Sequence, residues 1–146
     1  MAIACQSQTN LKQNSSKKND KQSSEVSVAK ELLDTIGLSN APVKIEEDTI
    51  EKIEGNDRSL IFKYRNISKK TIDKIIFKWY IETAFAKPAT LGSEKGIGGT
   101  DTDMDVEPDE ASNLAIQLLS HDAKKAVLIW PVEVFFADGT KWRIRN

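Results

Sequence analysis

The chain predicts an all-β domain, an antiparallel β-sandwich of about seven strands, preceded by a disordered tail and one short helix. Three observations carry this. From Val43 onward apolar residues recur at every second position, turn-forming clusters separate these runs, and the first 25 residues hold almost nothing a core could use.

Residues 1–25 are expected to be a tail or tether. After Cys5 the segment is Gln, Ser, Asn, Thr and Lys with Leu11 almost the only apolar residue, too little to offset roughly 1 to 2 kcal/mol per residue of ordering entropy. Residues 26–40, VSVAKELLDTIGLSN, form a short amphipathic helix and linker. Val28, Leu32 and Ile36 recur every fourth residue beside Leu33, Ser24 or Ser27 can cap the start, and Gly37 is a left-handed stop. Glu31 and Asp34 oppose Lys30, so the helix lacks the basic face of a membrane-surface helix and should dock on a core.

Strands are expected near 43–54, 59–66, 72–83, 103–107, 112–119, 126–136 and 140–145, within a domain spanning 41–146. SLIFKYRN sets Leu60, Phe62 and Tyr64 on one face; KIIFKWYIE sets Ile75, Phe77, Trp79 and Ile81 against Ile76, Lys78, Tyr80 and Glu82. NLAIQLLS offers Leu114, Ile116 and Leu118. AVLIWPVEVFF offers Trp130, Val132, Val134 and Phe136 with Pro131, Glu133 and Phe135 opposite. Turns fall at Gly55-Asn56-Asp57, Asn66 to Lys70, Pro108-Asp109 and Asp138-Gly139.

The final hairpin has two candidate registers. A two-residue turn at Asp138-Gly139 would send Trp142 to the face of Glu133. A three-residue loop, Ala137-Asp138-Gly139, with Gly139 in the left-handed bulge position, sets Val134 opposite Trp142, Val132 opposite Ile144 and Glu133 opposite Arg143. The second collects Val132, Val134, Phe136, Trp142 and Ile144 on one face, each worth roughly 1.5 to 3 kcal/mol when buried. It also offers a Glu133–Arg143 ion pair. Seven short antiparallel strands, with Trp79 central on the third, are the pattern of an Ig-like sandwich.

The runs LIFKYRNISKKTIDKIIFKWYIETAF, VEPDEAS and VEVFFADGTKW, over about residues 59–145, resemble the small bacterial extracytoplasmic sandwich domains of the FxLYD type and related domains of unknown function. Trp79-Tyr80-Ile81-Glu82 stands where those domains carry their signature. The resemblance implies an accessory or binding module, often on a lipoprotein, without a shared catalytic site.

Composition narrows the function classes. With 21 basic and 22 acidic residues the chain has no global field to draw in nucleic acid or anionic lipid, so no nucleic-acid partner is expected. Lys63, Arg65, Lys78, Lys141, Arg143 and Arg145 read as solvated residues balanced by Glu82 and Glu133. One Cys and one His leave no disulfide, no multi-cysteine zinc site and few acid–base arrangements, so no cofactor and no enzyme are expected. No apolar run reaches the roughly 18 residues of a membrane span. Ala2-Ile3-Ala4-Cys5 looks like the end of a bacterial lipobox, which makes Cys5 the candidate lipid-attachment residue and the anchor the only membrane contact. The cell envelope, periplasmic or surface, is expected if the true start lies upstream of Met1; otherwise Cys5 is an idle thiol in a cytoplasmic chain.

Other motifs are weaker. Asp101, Asp103 and Asp105 alternate as oxygen ligands for Ca²⁺ would, but Val106 and Ser112 stand where a calcium loop needs Gly and a bidentate Glu. Gly96-Ile97-Gly98-Gly99 opens no helix, so a phosphate cradle is not expected. Ser120-His121-Asp122 are neighbours in a turn, which rarely converge as a triad. The expected function is a noncatalytic cell-envelope accessory or protein-binding module, lipid-tethered and monomeric. Its partner is an unidentified protein met by a face carrying Ile76, Tyr80, Phe135, Lys141 and Arg143, with Ile129 and Pro131 beside them. The alternative is a small-ligand or Ca²⁺-assisted binding module using the 90–110 loop.

Overall fold

Period-two alternation in the chain becomes nine strands in the computed structural model, which describes residues 38–144. They are β1 (Val43–Lys52), β2 (Arg58–Asn66), β3 (Ile72–Glu82), β4 (Thr90–Leu91), β5 (Glu94–Lys95), β6 (Ile97–Thr102), β7 (Ala111–Gln117), β8 (Lys125–Phe136) and β9 (Lys141–Arg143). Seven of them build two antiparallel sheets, β1-β2-β7 and β6-β3-β8-β9, while β4 and β5 form a small separate hairpin. Consecutive strands β2 and β3 lie in different sheets, the crossing that makes an Ig-like sandwich. Outside the strands, the described residues hold only two short 3-10 turns, Leu38–Asn40 and Glu54–Asn56. Cys5, the expected tail and the expected helix up to Gly37 lie outside the described residues.

The core follows the expected phase of β2 and β3. Leu60, Phe62 and Tyr64 from one sheet meet Ile75, Phe77, Trp79 and Ile81 from the other, all buried. Phe62 and Phe77 touch edge to face across the layers, with centroids 5.0 Å apart at 81°. The Tyr64 ring lies 5.1 Å from Phe77. Trp79 sits directly opposite Gly98, where an added Cβ would stand 2.5 Å from the indole Nε1. The glycine-rich run is therefore a packing device, letting β6 close over the tryptophan.

Four extra residues bend the strands and change which side chains face inward. Glu46 is unpaired in β1, Asp73 in β3, and Val127 and Val132 in β8. The bulge at Asp73 brings both Ile72 and Ile75 into the core. Those in β8 correct the expected phase of that strand. Ile129, Pro131, Val134 and Phe136 face inward; Leu128, Trp130, Glu133 and Phe135 face outward. Thus Ile129 and Pro131 leave the expected partner face, and Trp130 joins it.

Two further expectations change. The strand expected at 103–107 lies instead at 97–102, leaving Val106 as a single buried bridge to Ile72. Glu82, expected on the solvent face, is buried where the chain folds back to bridge Pro88.

The last hairpin has the three-residue register. Val134 pairs with Trp142 and Glu133 with Arg143, the Ile144 amide donates to Val132 O at 2.9 Å, and Gly139 has φ +86°. The Glu133 carboxylate, however, meets Lys141 at 3.5 Å rather than Arg143. In the turn, Asp138 accepts hydrogen bonds from the Thr140 amide and hydroxyl and lies 3.0 Å from Lys70 Nζ. Thr140 first, then Lys70, hold its pKa down at about 2.

Each end of the sandwich is closed by a polar device. At the end where β1 begins, the buried Asn66 amide donates to Lys70 O (2.8 Å) and Val106 O (2.9 Å), and its Oδ1 accepts from the Ser68 amide and hydroxyl. One carboxamide thereby satisfies two loops. At the opposite end the buried Asp57 accepts from Gln117 Nε2 (2.7 Å) and the Ser120 amide (2.6 Å), tying the start of β2 to the 118–124 loop. Its pKa is lowered, first by the Gln117 hydrogen bond and then by backbone amides.

Candidate functional site: the outer face of the four-stranded sheet

Register places the outward side chains of β6, β3, β8 and β9 in four rows across the sheet. Ile97, Tyr80 and Leu128 make the first, and Gly99, Lys78 and Trp130 the second. Asp101, Ile76, Glu133 and Arg143 form the third, and Lys74, Phe135 and Lys141 the fourth. All five expected partner-face residues, Ile76, Tyr80, Phe135, Lys141 and Arg143, are on this face. Directly opposed residues share a side of the sheet, so pairing alone fixes the grouping.

Apolar, aromatic and charged side chains interleave on this face. Ile76, Tyr80, Leu128, Trp130 and Phe135 are half-buried by their neighbours, and Ile97 is 53% exposed at the β6 edge. The Tyr80 ring lies over Gly96, where a Cβ would approach its Cε2 to 2.9 Å. Lys74 bridges to Asp101 at 3.4 Å and stands 6.0 Å from the Phe135 centroid, a cation–π distance. Four cations, Lys74, Lys78, Lys141 and Arg143, face two carboxylates, Asp101 and Glu133. The charge is thus opposite in sign to that of the whole chain. Lys63 and Arg65 belong to β2 in the other sheet, where Arg65 pairs with Glu46 at 3.2 Å.

The other motifs do not assemble as sites. Among the described residues, no three His, Cys, Asp or Glu side chains converge to hold a metal ion. Asp101 turns to Lys74, whereas Asp105 lies against Asp73, whose pKa is raised by desolvation and then by Asp105; with Asp103 they do not form one donor set. Ser120 Oγ donates to Asp122 Oδ1 (3.1 Å) and accepts from the Ala123 amide (3.0 Å). His121 Nδ1 lies 3.0 Å from Asn56 O, so its hydrogen bond runs to the backbone and not to Ser120. The three letters build a turn.

Trp130 and Leu128 are the members of the face that periodicity missed. AVLIWPV is apolar at every position, so alternation within it carries no signal for the bulges at Val127 and Val132.

No family model matches the chain, and no curated protein matches it. Among solved structures, a hypothetical protein from Peptoclostridium difficile 630 is similar with a TM-score of 0.57 and 12% identity, over 71% of this chain and 87% of that one. A DUF1425 family member from Shewanella sp. pv-4 is similar with a TM-score of 0.44 and 12% identity, over 61% and 75%. The first likeness is one of fold: a small all-β sandwich domain.

Proposed function

We propose that this domain is a noncatalytic accessory or protein-binding module that meets its partner through the outer face of the β6-β3-β8-β9 sheet. The observation carrying the proposal is the gathering of Trp130, Phe135, Tyr80 and Ile76 on a single face, interleaved with Lys78, Lys141 and Arg143. Aromatic and Arg side chains are the residues enriched at protein contact surfaces. The envelope location, the lipid on Cys5 and the FxLYD-type likeness belong to the same proposal and rest on the sequence alone.

The test is in-cell photo-crosslinking from Ile76, Trp130 or Phe135, with Ile67, 54% exposed beyond the end of β2, as the comparison position. One discrete adduct from the face positions and none from Ile67 supports the proposal, as does its loss in Phe135→Asp protein that melts normally. Equal yields from both surfaces sink it.

The 90–110 loop supports the alternative only in part. Its aspartates do not assemble into a cation site, but Thr90 and Lys95 line a cavity.

A further inference from the structure

The cavity lies at the end of the sandwich secured by Asp57, away from the first residues of β1. It is an open concavity of about 550 Å³. This is within the size range of small-ligand sites. Three stretches far apart in sequence wall it: the 83–88 turn, the β4-β5 hairpin and the 121–124 loop, with Arg58 between them.

Its charge is one-sided. Arg58, Lys87, Lys95 and Lys124 line it, and among the described residues none of the four makes an ion pair. Asp122 is the single acid in the lining, and its Oδ1 is committed to the fold, accepting from the Thr90 amide at 2.9 Å and the Ser120 hydroxyl at 3.1 Å. That carboxylate clamps hairpin to loop. The Arg58 guanidinium is held in place by Nη1 donating to Asn56 O (3.0 Å) and Asp57 O (3.4 Å). Four cations in one concavity repel each other, and a concave wall of one sign concentrates ions of the other.

Phe85 is also among the residues lining the cavity. Phe85 is 79% exposed, the most exposed of the large hydrophobic residues described. It is held outward by a tight turn in which the Phe85 amide donates to Thr83 Oγ1 (3.1 Å) and the Thr83 amide to Lys87 O (2.8 Å). An exposed ring beside a cationic concavity matches a ligand with an anionic group on an apolar or ring-shaped body.

We infer that this end of the sandwich is a binding site for a small organic anion, a phosphate or carboxylate carried on a ring, with the cations taking the anionic group and Phe85 stacking on the ring. This is independent of the sheet-face proposal, since none of its residues lies on that face. Phosphate and carboxylate share the same recognition chemistry, and phenyl phosphate, benzoate and inorganic phosphate separate the contributions.

The experiment is an NMR titration of the full chain with each probe, repeated on Lys95→Glu/Lys124→Glu, Phe85→Ala and, as a remote charge reversal, Lys69→Glu. Saturable shifts confined to residues 58, 83–95 and 121–124 are expected at about 1 to 10 mM probe, weakening as salt rises. The double reversal should weaken binding of phenyl phosphate roughly tenfold, with Lys69→Glu unchanged. Phe85→Ala should weaken phenyl phosphate and benzoate but not inorganic phosphate. Shifts spread over all lysines, or an affinity indifferent to the double reversal, would overturn the inference. Equal loss of phenyl and inorganic phosphate in Phe85→Ala would overturn the stacking role.

Discussion

Removing a hydroxyl from the centre of this core should make the protein more stable. Tyr64 is fully buried, and among the described residues its Oη has no hydrogen-bond partner, while its ring packs 5.1 Å from Phe77 and 6.1 Å from Phe62. Leaving a desolvated hydroxyl unpaired costs about 1 to 3 kcal/mol. Tyr64→Phe keeps the ring and both contacts. It forfeits one oxygen's packing and leaves a void of atomic size, together about 0.5 kcal/mol. The net gain is about 0.5 to 2.5 kcal/mol, which in a domain of this size corresponds to a rise in melting temperature of roughly 2 to 11 °C. Urea unfolding followed by tryptophan fluorescence should show a higher midpoint with an unchanged slope. A fall in the midpoint worth about 1 kcal/mol or more would show that the hydroxyl is hydrogen-bonded in the folded protein, and the reasoning would fail.

Trp79→Ala should cost about 3 to 5 kcal/mol, whereas Lys78→Ala, on the exposed side of the same strand, should stay within about 0.5 kcal/mol; equal losses in urea melts would mean the strand phase is wrong. Gly98→Ala puts a methyl where only 2.5 Å separates it from the Trp79 indole and should destabilise by about 1 to 3 kcal/mol. A neutral result in the same assay would mean that β6 can lift from β3 at no cost. For pH, Asp138 titrates near 2 in the folded protein against an ordinary value of 3.8. Its contribution is fully present above the unfolded value and is lost as pH falls from about 4 to 2. Asp138→Asn should therefore flatten that part of the stability curve in melts between pH 5 and pH 2, and a curve unchanged in shape would refute the Thr140–Lys70 clamp.

Where bulky apolar residues recur at every second position, as in Leu60 to Tyr64 and Ile75 to Ile81, the strand and its inward face were legible in the sequence. The hairpin register was legible too, because only one loop length gathers Val134, Trp142 and Ile144 together and puts a glycine where φ is positive. β6 escaped because Ile97–Thr102 has little apolar content of its own; it is a strand because glycine lets it close over Trp79. The sheet face was half legible. Its β3 and β9 residues and Phe135 followed from periodicity, while Leu128 and Trp130 depended on the bulge at Val132 inside an uninterrupted apolar run. The basic cavity left no local trace, since Arg58, Lys87, Lys95 and Lys124 are brought together only by the pairing of distant strands.

The Asn66 junction has a mechanical consequence. The chain enters the sandwich there, at Val43 opposite Asn66, while the cavity lies at the far end of the same strands. Were the domain held at that far end and pulled through the chain that leads into Val43, tension would run along β1 rather than across it. Antiparallel ladder bonds stand perpendicular to the strands, so β1 would be loaded in shear, with its bonds to β2 strained side by side instead of opening one after another. The load would first reach the pairing of Val43 with Asn66 and the Ile67 amide's bond to Pro42 O, at the junction whose loops the Asn66 carboxamide braces.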